Sequence, residues 1–412
     1  MENNGGSAYL TSISTARPLP IDINSIFHKA SRGKALFLER STLLPEYIPD
    51  HLPFRDEQIT SMAEVMAPAL HSSKPSNLLL YGKTGTGKTA ITKFVLSKLK
   101  AEDRTHKVAT SYVNTRIAGT EYRTLTQLAT DLDLTIPFTG LSIGEVVSRI
   151  FAQIQAKSAH TILVLDEIDH LINAYGDDTL YEFTRAGERI APGSLTVVGI
   201  SNSLQFKDML DPRVLSSLGE EELIFPPYTV DQLRAILSER SHVAFRPGVV
   251  PQPAVNLCAA IAGAEHGDAR RAVELLRVAG EVAEREGLQK IDEQCIRKAY
   301  QKAEHDRVEE ALRSLPLQDK LILHAASKFD DGTNTGELYL HYASIARKLG
   351  ADILTQRRIS GILAELDLLG LLEATVVSKG RRGRTKRVKL VVDQGTLDRV
   401  LSEDPELRQL VS

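Results

Sequence analysis

Residues 78–100 read LLLYGKTGTGKTAITKFVLSKLK. An apolar run ends at a glycine, a stretch matching GxxxxGK[ST] follows, and an amphipathic helical pattern takes over. Glycines let successive backbone N–H groups turn inward around a phosphate, and a helix opening there presents its positive end to the same anion. Gly82, Lys83, Thr84, Gly85, Thr86, Gly87, Lys88 and Thr89 are the expected cradle. Lys88 is placed to reach the β- and γ-phosphates, and the Thr89 hydroxyl to sit on Mg²⁺. The loop needs a strand before it and a helix behind it. The expected fold is therefore an α/β P-loop domain with a parallel, doubly wound sheet.

Outward from the loop the alternation continues. A helix is expected over 53–70, and strands over 77–82, 107–115, 160–169, 194–203 and 221–228. Asp166 and Glu167 close the third strand, and such ends face the crevice of an open α/β sheet. Asp166 is expected to hold Mg²⁺, and Glu167 to orient and polarise a water. Asn202 follows the fourth strand, where an amide can position that water. Arg213, before the fifth, fits either an arginine finger for a neighbouring protomer or a local salt bridge. Residues 229–304 carry only helical periodicity, a lid. There Asp268 is the expected cap of a helix whose first turn holds Arg270. A cation at that end opposes the helix dipole, and a γ-phosphate would compensate it. Arg271 is expected to point outward.

Composition bounds the rest. At 412 residues the chain exceeds one ordinary core, and 42% hydrophobic with 25% charged residues reads as soluble and globular. No apolar run approaches ~18 residues, so no membrane span is expected, and the start lacks a secretory pattern. Cys258 and Cys295 stand alone and read as buried thiols of an intracellular protein. Residues 1–24 are polar and aperiodic, an expected flexible arm. The net charge of −3 conceals an asymmetry: the window 341–390 carries +7, leaving −10 elsewhere. A polyanion bound at one place fits that pattern.

That window belongs to a module expected over 305–395, followed by a tail over 396–412. HYASIARKLG and TQRRISGILAELDLLG read as helices, with Ile359, Ile362, Leu363, Leu366 and Leu369 as the inward stripe of the second. Thr355 is its expected N-cap; Gln356, Arg357 and Ser360 face away, and Arg358 flanks the stripe. Such a face suits a major groove. The hairpin beyond carries Lys379, Arg381, Arg382, Arg384, Lys386 and Arg387, a wing able to track phosphates or enter a minor groove. The whole reads as a winged helix. Arg357 and Arg358 either read guanines or hold the backbone.

Together the motifs resemble an AAA+ ATPase. LPFRDEQI, YGKTGTGKT, LVLDEID, ISNS, LDPRVLSSLGEEELIFPPYTVDQLRAIL and HGDARRAVELLRVAG are similar, in order, to the archaeal replication initiators. Those are counterparts of the origin recognition complex large subunit and its cell-division-control paralogue. The resemblance implies ATP or ADP with Mg²⁺ as cofactors. It implies Asn202, Arg213 and Arg270 as sensor 1, finger and sensor 2, with Arg55 and Tyr228 bordering the adenine. It places the insert 116–140, with Arg123, against DNA. The implied partners are duplex origin DNA, a replicative helicase, and a paralogous initiator or second copy on DNA. The implied location is cytoplasmic and nucleoid-associated. ATPase turnover is expected to be weak, since a lone chain lacks a trans-supplied arginine worth roughly 10³ to 10⁵ in rate. Two alternatives stand beside it: a branch-migration type DNA motor, and a nucleotide-sensing transcription regulator.

Overall fold

The computed structural model describes residues 35–71, 73–378 and 384–411, in two compact units that divide between Ile296 and Arg297. The expected arm at 1–24 lies outside the described residues, as do Lys379, Arg381 and Arg382.

In the first unit α1 (Asp56–Met66) precedes β1 (Leu78–Tyr81), and α2 (Lys88–Glu102) follows the glycine loop. Then come β2 (Val108–Asn114), the short α3 (Thr115–Ala118), α4 (Glu121–Asp131), α5 (Ile143–Lys157) and β3 (His160–Asp166). Next are α6 (Ile168–Tyr175), α7 (Asp178–Thr184), α8 (Gly187–Ile190), β4 (Ser194–Ser201), α9 (Pro212–Leu218) and β5 (Glu221–Ile224). The sheet order is β2-β3-β4-β1-β5, every neighbour parallel. Both β1 and β3 are buried along their whole length, as strands covered on two faces must be. Alternate residues divide between the two layers. Leu79, Leu163, Leu165 and Val197 pack with α4 and α5; Leu78, Leu80, Ile162 and Val164 pack with α1 and α2. The register levels the strand ends, with Asn114 opposite Asp166 and Tyr81 opposite Ser201.

Two expected strands end early for local reasons. The fifth stops at Ile224, before Pro226 and Pro227, which have no N–H for a ladder. The third stops at Asp166 because Glu167 turns to φ +52. The insert is part of the core, burying Leu125, Leu128, Ala129, Leu132 and Ile136.

The lid follows as α10 (Val230–Ala244), α11 (Gln252–Ala264) and α12 (Ala269–Glu286). Thr229 and Gln232 form a capping box at α10, fixing where the lid begins. Leu233, Leu237, Val255, Cys258, Leu275 and Leu276 are buried. The long α13 (Glu293–Ser314) then carries the chain from the first unit into the second.

The second unit continues with α14 (Leu317–Ala326), β6 (Thr333–Asn334), α15 (Thr335–Leu349), α16 (Gln356–Leu368), β7 (Leu372–Ser378), β8 (Arg384–Leu390) and α17 (Gln394–Glu403). Its sheet is antiparallel, β6-β8-β7. Ile359, Ile362, Leu363 and Leu366 are buried as expected, but Leu369 is 56% exposed. The helix ends at Leu368, so Leu369 falls out of phase, and Leu371 fills the core instead. Residues 396–411 are not a tail hanging off the fold. Leu397, Val400 and Leu401 of α17 lie in the core with Leu407 beyond it, and Arg399 pairs with Glu309 on α13.

Candidate nucleotide site and nucleic-acid interface

The glycine loop closes one side of a cavity of about 630 Å³, lined among others by Thr84, Gly85, Thr86, Gly87, Lys88, Thr89, Asp166, Glu167, Asn202, Tyr228 and Arg270. Lys88 is 5% exposed, and its ammonium donates to the carbonyls of Gly82 at 2.6 Å and Lys83 at 2.9 Å. Burial pulls its ionisation down to about 8, with the Asp166 charge opposing and that of Arg270 adding. A buried ammonium facing a second cation suits an anion between them. The loop's glycines also serve packing. A methyl group at Gly82 would overlap the Phe225 carbonyl oxygen. At Gly85, whose φ is +72, it would overlap the Asp268 carboxylate. The Ala269 N–H donates to the Gly85 carbonyl at 3.1 Å, so the first turn of α12 rests on the loop.

The carboxylates are held tightly. Asp166 Oδ2 accepts from the Thr89 hydroxyl at 2.8 Å and from the Tyr112 hydroxyl, while Oδ1 accepts the Glu167 N–H at 2.9 Å. Glu167 occupies the left-handed region, which costs a non-glycine residue of order 1 kcal/mol or more and recurs at functional sites. Its side chain accepts from Asn114 Nδ2 at 3.3 Å and pairs with Arg116 at 3.5 Å; its carbonyl accepts the Thr115 hydroxyl at 2.6 Å. Asn114 also caps α3, its Oδ1 accepting the Ile117 N–H at 3.0 Å. Asn202 is half-buried on the cavity wall, its N–H on Asp169 at 3.4 Å. The hydroxyl of Thr89 and the carboxylate of Asp166 are hard oxygen donors of the kind Mg²⁺ takes. Among the described residues no cluster of three or more His, Cys, Asp or Glu could hold a metal by itself. The donor set fits a Mg²⁺ completed by phosphate and water.

Three arginines stand outside the cavity lining, Arg213 in the local salt bridge that was one of its two expected roles. Arg55 does not line the cavity. It is 2% exposed, donating from Nε to the Thr86 carbonyl at 3.0 Å and from an Nη to the Pro226 carbonyl at 2.6 Å, with its guanidinium 3.9 Å from the Tyr228 ring centroid. It clamps the loop to the strand exit. Arg213 is also outside the cavity, bidentate on its own Asp211 at 3.0 and 3.1 Å. Arg271, expected outward, is half-buried against Glu265. Tyr112, Asn114, Arg116 and Asp268 were not anticipated as holders of the loop and carboxylates. Their roles arise from strand register and lid docking, which no local motif encodes.

In the second unit Thr355 caps α16, its hydroxyl accepting the Arg358 N–H at 3.4 Å. Thr355, Gln356, Arg357, Arg358 and Ser360 are exposed. Arg384 opens β8; Lys386 is half-buried, and Arg387 is exposed with one N–H on the Asp331 carbonyl at 2.8 Å. In the first unit Arg123 is exposed on α4.

Comparison with known proteins agrees with this architecture. Residues 71–205 match the family model described as AAA domain, 234–301 the Cdc6 AAA+ ATPase-type lid domain, and 310–400 the CDC6 C terminal winged helix domain. An ORC1-type DNA replication protein of Thermococcus onnurineus is 44% identical over 400 residues, 95% of this chain and 96% of that one. ORC1-type DNA replication protein 1 of Aeropyrum pernix is 46% identical over 94% of this chain and 100% of its own. The structure of the Aeropyrum pernix ORC1 protein in complex with DNA superposes with a TM-score of 0.82 at 46% identity, covering 92% of this chain and 99% of that one. The Cdc6p structure from Pyrobaculum aerophilum, at 23% identity and a TM-score of 0.60 over 92% of this chain and 99% of its own, shares the fold.

Proposed function

This chain belongs to the family of ORC1-type DNA replication proteins, and on that premise we propose that it is a replication initiator that binds origin duplex DNA and is switched by ATP. The observation that carries the reading is the 46% identical Aeropyrum pernix chain, solved with DNA and sharing this architecture over 92% of the present chain.

At the nucleotide site Lys88 neutralises the β- and γ-phosphates. Arg270 meets the γ-phosphate from the lid, so the lid registers which nucleotide is bound. Thr89 and Asp166 would hold Mg²⁺, which supplies positive charge against the phosphate oxygens. Glu167 and Asn202 orient the attacking water, and Tyr228 borders the base. Turnover is slow, because a lone chain lacks a finger supplied in trans, worth roughly 10³ to 10⁵ in rate. That makes the site a switch more than a motor. On DNA, Gln356, Arg357, Arg358 and Ser360 enter the major groove after the Thr355 cap, and the wing with Arg384, Lys386 and Arg387 follows phosphates. Lys379, Arg381 and Arg382 add positive charge toward phosphates, and Arg123 of the insert adds a second grip. The bound initiator, with a paralogue or a second copy beside it, helps recruit the replicative helicase on the nucleoid in the cytoplasm.

Genome-wide crosslinking in the protein's own cells tests this. Sharp peaks at replication start sites sharing a repeat would support it. Peaks scattered over promoters would replace it with a regulator, and diffuse signal with a motor.

A further inference from the structure

Tyr112 belongs to no nucleotide motif, yet it touches the centre of the site. It sits on β2 opposite Val164 of β3. Its ring walls the nucleotide cavity and also a second cavity, of about 1040 Å³, beside the insert. Its hydroxyl donates to Asp166 Oδ2, the oxygen that also takes the Thr89 hydroxyl at 2.8 Å. Lys93, one turn along α2 from Thr89, holds its ammonium 4.4 Å from the Tyr112 ring centroid.

Resting on the reading of this site as one for nucleotide and Mg²⁺, we infer that Tyr112 is a positioning residue. It fixes the Asp166 carboxylate so that Asp166 and Thr89 present a preformed pair of oxygens to the cation. The reason is torsional. A carboxylate turns on a broad, roughly two-fold χ2, so it holds a sharp orientation best where both oxygens are tied. Here Oδ1 is tied by a backbone N–H at 2.9 Å and Oδ2 by two hydroxyls, one from the loop helix and one from the neighbouring strand. Thr89 can offer its lone pairs to a cation while its proton stays on Asp166. Tyr112 reaches the same Asp166 oxygen from the neighbouring strand and holds it there. A phenol keeps its proton at ordinary pH, so it stands as a donor to this carboxylate. The Lys93 ammonium against the ring draws electron density from it and strengthens that donor.

Tyr112→Phe tests this, because it keeps the ring, its packing and the Lys93 contact and removes only the O–H. The full chain is titrated with Mg²⁺ in the presence of methylanthraniloyl-ADP, reading fluorescence, and nucleotide affinity is measured separately in EDTA. The expected result is an Mg²⁺ midpoint raised about tenfold, the scale of a lost hydrogen bond to a charged group, with the EDTA affinity unchanged. Lys93→Ala is expected to move the midpoint the same way by about twofold. An unaltered midpoint in Tyr112→Phe overturns the inference. So does an equal loss of affinity in EDTA, which would make Tyr112 merely structural. If the parent chain binds no nucleotide with or without Mg²⁺, the site reading itself fails and takes the inference with it.

Discussion

At the scale of single residues, the nucleotide site is governed by two buried cations of different kinds. Lys88 lies inside the cavity, with its ionisation drawn down to about 8 chiefly by burial. A phosphate beside it would raise that value, so the bound state takes up a proton that the free state has lost above about 8. Nucleotide affinity is therefore expected to fall as pH rises past about 8, by up to tenfold per pH unit. Calorimetric titration between pH 7 and 9.5 measures it, and a flat profile would remove Lys88 from the phosphates. Lys88→Ala is expected to abolish binding. Arg55 is the other cation, and it acts from outside the cavity by tying the Thr86 and Pro226 carbonyls together. Arg55→Met would strand two buried acceptors, at roughly 1–3 kcal/mol each. The expected outcome is a thermal midpoint lowered by several degrees and weaker binding of ADP and ATP alike. A loss confined to one nucleotide would speak against a purely mechanical clamp.

At the scale of elements, what could be read in advance was whatever depends on neighbours in sequence. The strand, the glycine loop and the helix from 78 to 100 stand together in the chain, and their apolar runs, glycines and helical spacing declare them. The stripe of α16 is equally local, until the helix ends one residue sooner than the pattern of leucines suggests. What escaped is what the sheet and the docked lid bring together. Asn114 and Tyr112 reach the carboxylates because β2 lies beside β3 in register, some fifty residues apart in the chain. Asp268 meets Gly85 because the lid folds back onto the loop. Helix α17 escaped for another reason: Leu397, Val400 and Leu401 do show helical spacing, but so short a run beyond the wing reads equally well as an end of chain. Its place in the core carries a consequence. Leu397→Ala removes a fully buried side chain and is expected to cost about 2–5 kcal/mol of stability in the second unit. Denaturant unfolding of the full chain, with circular dichroism of the helices as readout, checks it; a change under about 0.5 kcal/mol would return α17 to the status of a surface appendage.

At the scale of the whole molecule, the distribution of charge matters more than its sum. A chain at −3 overall would be repelled by DNA if its charge were spread evenly, but +7 is gathered in residues 341–390 against −10 elsewhere. Contact is thereby confined to the face that carries the basic residues, and long-range repulsion from the rest falls off within about 10 Å at ordinary ionic strength. Binding that depends on phosphate contacts must then fall steeply with salt, each contact contributing roughly 0.9 to the slope of log affinity against log salt. Arg357 and Arg358 are exposed on α16, and Lys386 is half-buried on β8. Replacing all three by Ala is expected to flatten the slope by about 2 to 3 if all three hold phosphates, with specific and non-specific DNA weakened alike. If Arg357 or Arg358 reads a guanine instead, its single replacement should cost about 1–3 kcal/mol on the specific site alone and leave the slope nearly as it was. Fluorescence anisotropy across a salt series, on an origin repeat and on a scrambled duplex, separates the two. An unchanged slope with undiminished affinity on both duplexes would take the winged helix out of the interface altogether.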